Sequence, residues 1–316
     1  MSVLSAKRLC LSILVLLMVQ ALPRPAPAQA FKVTKVRHLF DLEHGFLEPS
    51  DVAVGKDRLT YVLDGVNRRV VVFDETGKLK FTFGGRGSAP GSFASPLGLA
   101  TDSQGNVYVA DSGNRRVQIF SPLGKVQSVF PVLAKEGEKP ADPVDVALDE
   151  GRKRLYVVDN DNHHVLVYGL TDFKLLERWG KEGEEKQEFN HPFFITVAHD
   201  TSVLVVDVLN TRVQVWSPKG MAVSSIGEYG VDVGQLYRPK GVCVDASNNV
   251  FVSDSYIGVI QVFNTYGYLQ SVVGDESGAV LKFTTPVGIT IDERKRLYVV
   301  EMILHRVQVF QIVNTN

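Results

Sequence analysis

Residues 106–120 read NVYVADSGNRRVQIF, and the reading of this stretch decides the fold. Val107 and Val109 alternate with other side chains up to Asp111, Ser112 to Arg115 turn the chain, and alternation resumes from Arg116 to Phe120. β-Branched and aromatic residues favour extended backbone, whereas Ser, Gly and Asn supply the freedom a tight turn needs. The stretch predicts a hairpin. The sequence writes that hairpin six times.

Each copy opens on a proline, at Pro49, Pro96, Pro143, Pro192, Pro239 and Pro286, in steps of 47, 47, 49, 47 and 47 residues. An acid follows at Asp64, Asp111, Asp159, Asp207, Asp254 and Glu301. A strand then ends in an aromatic residue at Phe73, Phe120, Tyr168, Trp216, Phe263 and Phe310. In the second copy the expected strands are residues 97–101, 106–110, 116–120 and 125–130. Four short strands repeated at this period predict a propeller blade, because a lone four-stranded sheet leaves both faces bare until neighbours stack on it. Small residues in register at Ala53, Ala100, Ala147, Thr196, Cys243 and Thr290 suit the crowded strand nearest the axis. On that pattern Cys243 is a core residue.

The sixth copy ends at Asn316, too soon for a fourth strand, while residues 32–40 alternate without a blade of their own. The N-terminal stretch is therefore expected to supply the outer strand of the last blade, removing an open edge. The expectation is one all-β domain over residues 31–316: a six-bladed propeller of four-stranded antiparallel blades.

Residues 1–30 have a different character. Lys7 and Arg8 precede an apolar run over 9–22, and Ala28-Gln29-Ala30 places small residues where a signal peptidase reads. The run is short for a membrane span, and Pro23, Pro25 and Pro27 follow it. Cleavage after Ala30 is expected, with export to a periplasmic or extracellular location and no membrane span afterwards. Loss of Lys7, Arg8 and Arg24 takes the formal charge from -1 to -4. That acidic balance gives no general pull toward nucleic acid. Cys10 would leave with the signal, so Cys243 would have no cysteine to pair with.

The second copy carries Pro96, Gly98, Leu99, Ala100, Asp102, Gly105, Asn106, Tyr108 to Asp111, Asn114 and Arg116 to Phe120. This pattern resembles the NHL repeat. The resemblance implies the propeller fold and leaves function open, since similar propellers serve as binding modules, lyases and exported bacterial proteins. It also implies that Arg69, Arg116, Arg212 and Arg306 are structural, paired with the repeat acid of the same or an adjacent blade. Working surfaces in such propellers are the face bearing the two–three turns and the axial channel opening onto it.

The two–three turns read GVNRR, SGNRR, NDNHH, VLNTR, SYIGV and MILHR, from residues 65, 112, 160, 208, 255 and 302. Arg68, Arg115 and His163 are extra to the motif and expected to face solvent, where they would receive an acidic partner or anionic ligand. Tyr256, Ile257, Met302, Ile303 and Leu304 replace polar turn residues with large apolar ones, the composition of a binding patch. Local packing under the joining segments 227–238 and 274–285 is the competing reading. At the channel mouth three copies have glycine, Gly98, Gly241 and Gly288, and Asp51, Asp145 and Phe194 depart from it. Two carboxylates there are weak candidates for calcium, one short of a convincing ligand set.

Enzyme readings find little support in motifs. Lyases of similar fold use several histidines to hold zinc; here His191 alone precedes a repeat proline, and no phosphate loop or Gly-x-Ser-x-Gly elbow occurs. The sequence favours a binding or scaffolding propeller that takes a protein or small ligand. A metal-dependent hydrolase or lyase centred on the channel is the alternative.

Overall fold

The structure, a computed structural model, describes residues 31–313; the expected signal segment and Cys10 lie outside the described residues. The described chain is all-β, with two single-turn 3-10 segments, Lys56–Arg58 and Ser112–Asn114. Strand β1 (Val33–Leu42) comes first. The first repeat holds β2 to β5 (Pro49–Val54, Thr60–Asp64, Arg69–Phe73, Leu79–Gly84), and the second β6 to β9 (Pro96–Thr101, Val107–Asp111, Arg116–Phe120, Val126–Pro131). The third holds β10 to β13 (Pro143–Asp149, Arg154–Asp159, His164–Gly169, Leu175–Trp179). The fourth holds β14 to β17 (Pro192–Val197, Val203–Asp207, Arg212–Ser217, Met221–Ile226). The fifth holds β18 to β21 (Pro239–Val244, Val250–Asp254, Val259–Phe263, Leu269–Gly274). The sixth has only β22 to β24 (Pro286–Ile291, Arg296–Glu301, Arg306–Ile312).

Repeats one to four each form a four-stranded antiparallel sheet. The first strand of each repeat packs against the first strand of the next, and β22 packs against β2, so the sheets stand around a ring. Each repeat proline pairs with its repeat acid, as Pro96 does with Asp111, which puts the turn after the acid beside the entry to the inner strand.

The fifth and sixth repeats depart from four-stranded regularity, because β1 joins them into one eight-stranded sheet. From Val36 to Leu42, β1 pairs antiparallel with β24 and supplies that repeat's outer strand. From Val33 to Lys35 it pairs in parallel with β21. The reason is length: β1 has ten residues where the other outer strands have five or six, so its start reaches past β24 to the neighbouring sheet.

The core lies between neighbouring sheets. Between repeats three and four, Trp179 stacks on Trp216 at 5.7 Å and Phe189 on Trp216 at 5.2 Å. A large apolar residue three positions before the repeat proline recurs at Phe46, Phe93, Phe189, Leu236 and Phe283, each buried. Phe93 lies over Gly84, whose φ is +103° and whose added β-carbon would stand 2.5 Å from the Phe93 ring. Only glycine fits there, on both backbone and space grounds. No helix among the described residues is long and apolar enough to cross a membrane.

Candidate functional site

The turn face is built on the repeat acids, all of them buried. Asp111 shows the arrangement. It accepts N–H groups of the incoming segment from Ala94 at 2.9 Å and Ser95 at 3.4 Å. From its own turn and third strand it accepts Asn114 Nδ2 at 2.7 Å and Arg116 Nε at 2.9 Å. Arg116 in turn donates to the carbonyls of Ser88, Ala89 and Ser92. One carboxylate thus fastens three pieces of backbone that the ladder leaves unsatisfied. Arg69 pairs likewise with Asp64 and Arg212 with Asp207, both at 2.8 Å.

Arg306 differs from expectation. It binds Asp41 of β1 at 2.8 Å, the N-terminal strand offering a carboxylate within reach. In the third repeat His164 replaces the arginine and lies 3.3 Å from Glu138. In the fifth repeat Val259 replaces it. There Asp254 accepts four backbone N–H groups: Tyr237 at 2.7 Å, Arg238 at 3.0 Å, Tyr256 at 3.0 Å and Ile257 at 2.9 Å.

Arg68, Arg115 and His163 occupy the same turn position, with φ of 56°, 54° and 57°. They do not share an environment. Arg115 is exposed. Arg68 is half-buried, its Nε donating to the Ala94 carbonyl at 2.6 Å. His163 is buried, contrary to a solvent-facing reading: its Nδ1 accepts the His191 N–H at 3.1 Å, and the two rings meet edge to face at 4.7 Å. A left-handed residue at the end of the turn aims its side chain at the next joining segment, which the sequence does not display. Burial, with the His191 ring as a smaller contribution, holds the His163 pKa below its ordinary 6.5.

The apolar turn residues divide. Met302 is half-buried against the core around Phe46 and Val62. Ile257 is half-buried and lines a cavity of about 230 Å³ with Val231, Val233 and Val280. Tyr256, Ile303 and Leu304 are exposed, at 61%, 56% and 43%. Tyr256 meets Tyr237 at a tilt with 4.2 Å between centroids, and Tyr237 meets Tyr229 at 5.4 Å, which leaves Tyr229 69% exposed at the other end of the row. Tyr229 and Tyr237 belong to a joining segment, so the turn motif alone did not mark them.

The second surface is the axial cavity, about 220 Å³, lined by inner-strand residues including Asp51, Asp145, Phe194 and Cys243. The two carboxylates are buried and tie neighbouring repeats together. Asp51 accepts N–H groups from Val52 and, across the boundary, Leu99, both at 2.9 Å. Asp145 accepts from Val146 at 2.8 Å and from Ile195 of the next repeat at 2.9 Å. Burial pushes Asp51 up to about 7. Burial, then the charge of Asp51, raises Asp145 well above the usual carboxylate range. Burial also raises the Cys243 thiol, which keeps it a protonated core residue.

Calcium asks for six to eight oxygens at bonding distance. Here each carboxylate oxygen already accepts an amide hydrogen, and no group of three or more acid, histidine or cysteine side chains that could hold a metal occurs among the described residues. The donor set does not fit calcium. Phe194 is buried in the core between repeats four and five, adding an apolar wall.

The ring of antiparallel sheets, the repeated acid clamp and the inner-strand channel define a β-propeller. The NHL repeat profile matches residues 93–120 and 141–168, the second and third repeats. The chain is a β-propeller that carries NHL repeats at those positions. No curated protein matches it. Among solved structures it is similar to a streptogramin B lyase (TM-score 0.62, 12% identity, 87% of this chain and 97% of that one). It is also similar to a gluconolactonase from Xanthomonas campestris (TM-score 0.65, 17% identity, 92% and 99%). A third is a protein of unknown function from Bacteroides thetaiotaomicron (TM-score 0.64, 17% identity, 89% and 73%). Identities this low speak for the fold alone.

Proposed function

We propose that this chain is an exported, six-bladed binding propeller that recognises a protein or small ligand on the face bearing the two–three turns. The observation that carries this reading is the row Tyr229–Tyr237–Tyr256, with its two outer rings 69% and 61% exposed and its backbone pinned by Asp254. Tyrosine offers a large, rigid contact area with a polar tip and little rotamer entropy to lose, which suits a recognition surface. Ile303 and Leu304 in the next turn extend the apolar character. The test compares the native chain with Tyr256→Ser and with the Ile303→Ser/Leu304→Ser pair as bait for periplasmic extract. A partner held by native protein and lost from equally stable variants supports the reading. Equal capture by all three counts against it.

A metal-dependent hydrolase or lyase centred on the axial cavity is the second reading. It draws on the fold shared with a lyase and a gluconolactonase and on the axial cavity, and it requires Asp51 and Asp145 to give up amide hydrogen bonds to meet a metal. Elemental analysis of purified protein, with lactone hydrolysis assayed before and after chelation, separates the two. Stoichiometric metal with chelator-sensitive turnover would replace the binding reading.

A further inference from the structure

The residues following the repeat prolines are Ser50, Leu97, Val144, Phe193, Lys240 and Val287. Only Lys240 is charged. It is half-buried, and its Nζ stands 5.5 Å from the centroid of the Phe193 ring in the neighbouring repeat. No ion pair or hydrogen bond from the side chain of Lys240 or of Arg238 forms among the described residues. Burial pushes the Lys240 amine below its ordinary pKa, and the neighbouring Arg238 pushes it further in the same direction. Two cations thus reinforce each other where no acid faces them.

The backbone holds them in place. The Arg238 N–H donates to Asp254, and its carbonyl accepts Ser255 N at 3.0 Å and Ser255 Oγ at 3.2 Å. Arg238 lies in the bend just before β18 and Lys240 is that strand's second residue, with only Pro239 between them. Tyr237, next to Arg238, meets the Tyr256 ring at a tilt of 31°. Snorkelling along Phe193 explains the path of the lysine stem. It does not explain a second unpaired cation beside the first.

We propose that Lys240 and Arg238 receive an organic carboxylate whose apolar body lies against Phe193 and the tilted Tyr237–Tyr256 pair. This deepens the binding reading and rests on it for the choice of face. Both cations donate to an anion, and the arginine can do so through two parallel N–H groups. Aromatic surface beside them selects a ligand that is apolar next to its charge. The carboxylate belongs either to a free aromatic acid or to an acidic side chain beside an aromatic one on a partner.

The experiment titrates native protein with phenylacetate and with phenylacetamide, which differ in charge but hardly in shape. A blocked Gly-Glu-Phe-Gly peptide and its Gln counterpart make the second arm. Binding is followed by calorimetry at low and high salt. In at least one arm the acid is expected to bind about tenfold more tightly than the amide, a preference that shrinks with salt and disappears in Lys240→Met. Arg238→Gln, at an exposed position, checks the result where folding is not at stake. The arm with the stronger preference identifies the source of the carboxylate. Equal binding of acid and amide in both arms, no binding in either, or a preference that survives both substitutions overturns the proposal. A carboxylate preference without loss of partner from the Ile303/Leu304 variant would leave this site standing and move the partner surface elsewhere; the reverse outcome would do the opposite.

Discussion

A β-carbon on Gly288 would stand 2.5 Å from Oδ1 of Asp51, so a glycine in the last repeat makes the room that a carboxylate in the first repeat fills. Gly98 does the same for Asp145. Each aspartate then reaches forward to an amide of the following repeat, Leu99 or Ile195. Glycine and aspartate at this register are therefore one device for joining repeats around the axis.

Gly288→Ala and Gly98→Ala are accordingly expected to destabilise by about 1–3 kcal/mol through overpacking against backbone and carboxylate. Thermal denaturation measures this. Unchanged melting in both variants would show that the inner strands can move apart freely.

Asp51→Asn removes an acceptor, because an amide nitrogen cannot receive the N–H of Val52 or Leu99. The expected loss is about 1–3 kcal/mol for the unsatisfied buried donor. The pH dependence carries a second signature. Asp51 is raised from 3.8 to about 7, so the native state keeps a proton that the unfolded state releases. This contribution to stability is complete below 3.8 and is lost as pH rises toward 7. Denaturant titrations across that window should show a weaker decline in the Asn variant than in the native chain.

His163 works in the opposite sense. Its Nδ1 must stay unprotonated to accept the His191 N–H, and its pKa lies below the ordinary 6.5. On acidification the unfolded state takes up the proton first, so this contribution is present above 6.5 and falls as pH drops below it. His163→Gln keeps an acceptor without titrating. Its stability between about pH 5 and pH 7 is expected to fall less steeply with acid than that of the native protein.

Arg116→Met removes the cation from the buried Asp111 carboxylate and the donor to the Ser88 carbonyl, while Ala89 and Ser92 keep a second donor. The expected loss is about 3–5 kcal/mol. Arg69→Met should cost less, since that arginine side chain is 27% exposed where Arg116 is 11%. Equal losses would argue that burial does not set the strength of these clamps.

Removing residues 31–40 takes away most of β1 and exposes the edges of β21 and β24 together. Melting temperature should fall sharply and aggregation increase, because both bared strands become templates for pairing. A deletion chain that melts like the native one would refute the role of β1 in closure.

The repeat was legible because it is written in residue types with fixed geometric tasks. Proline opens the inner strand, the acid satisfies loose amides, and the arginine answers the acid. A buried apolar residue three positions before the proline recurs in five of the six repeats, at Phe46, Phe93, Phe189, Leu236 and Phe283, yet lies outside the hairpin on which the reading was based. His163 was misread because exposure depends on which joining segment crosses the turn. Asp51 and Asp145 line the axial cavity, but their cross-boundary bonds could not be read from residues 48 and 50 positions apart. The Tyr229–Tyr237–Tyr256 row was missed as a unit because it combines two segments that only the fold brings together.

The seam formed by β1 has a consequence for the order of events during synthesis. Val33 to Leu42 is made before every other described strand, but its partners are Val272 to Gly274 and Val307 to Ile312, in the fifth and sixth repeats. Translation must be nearly complete before the first strand has anything to pair with, and the loop to be closed is almost the whole chain. The ring therefore cannot close until late in elongation, whatever order the other repeats take.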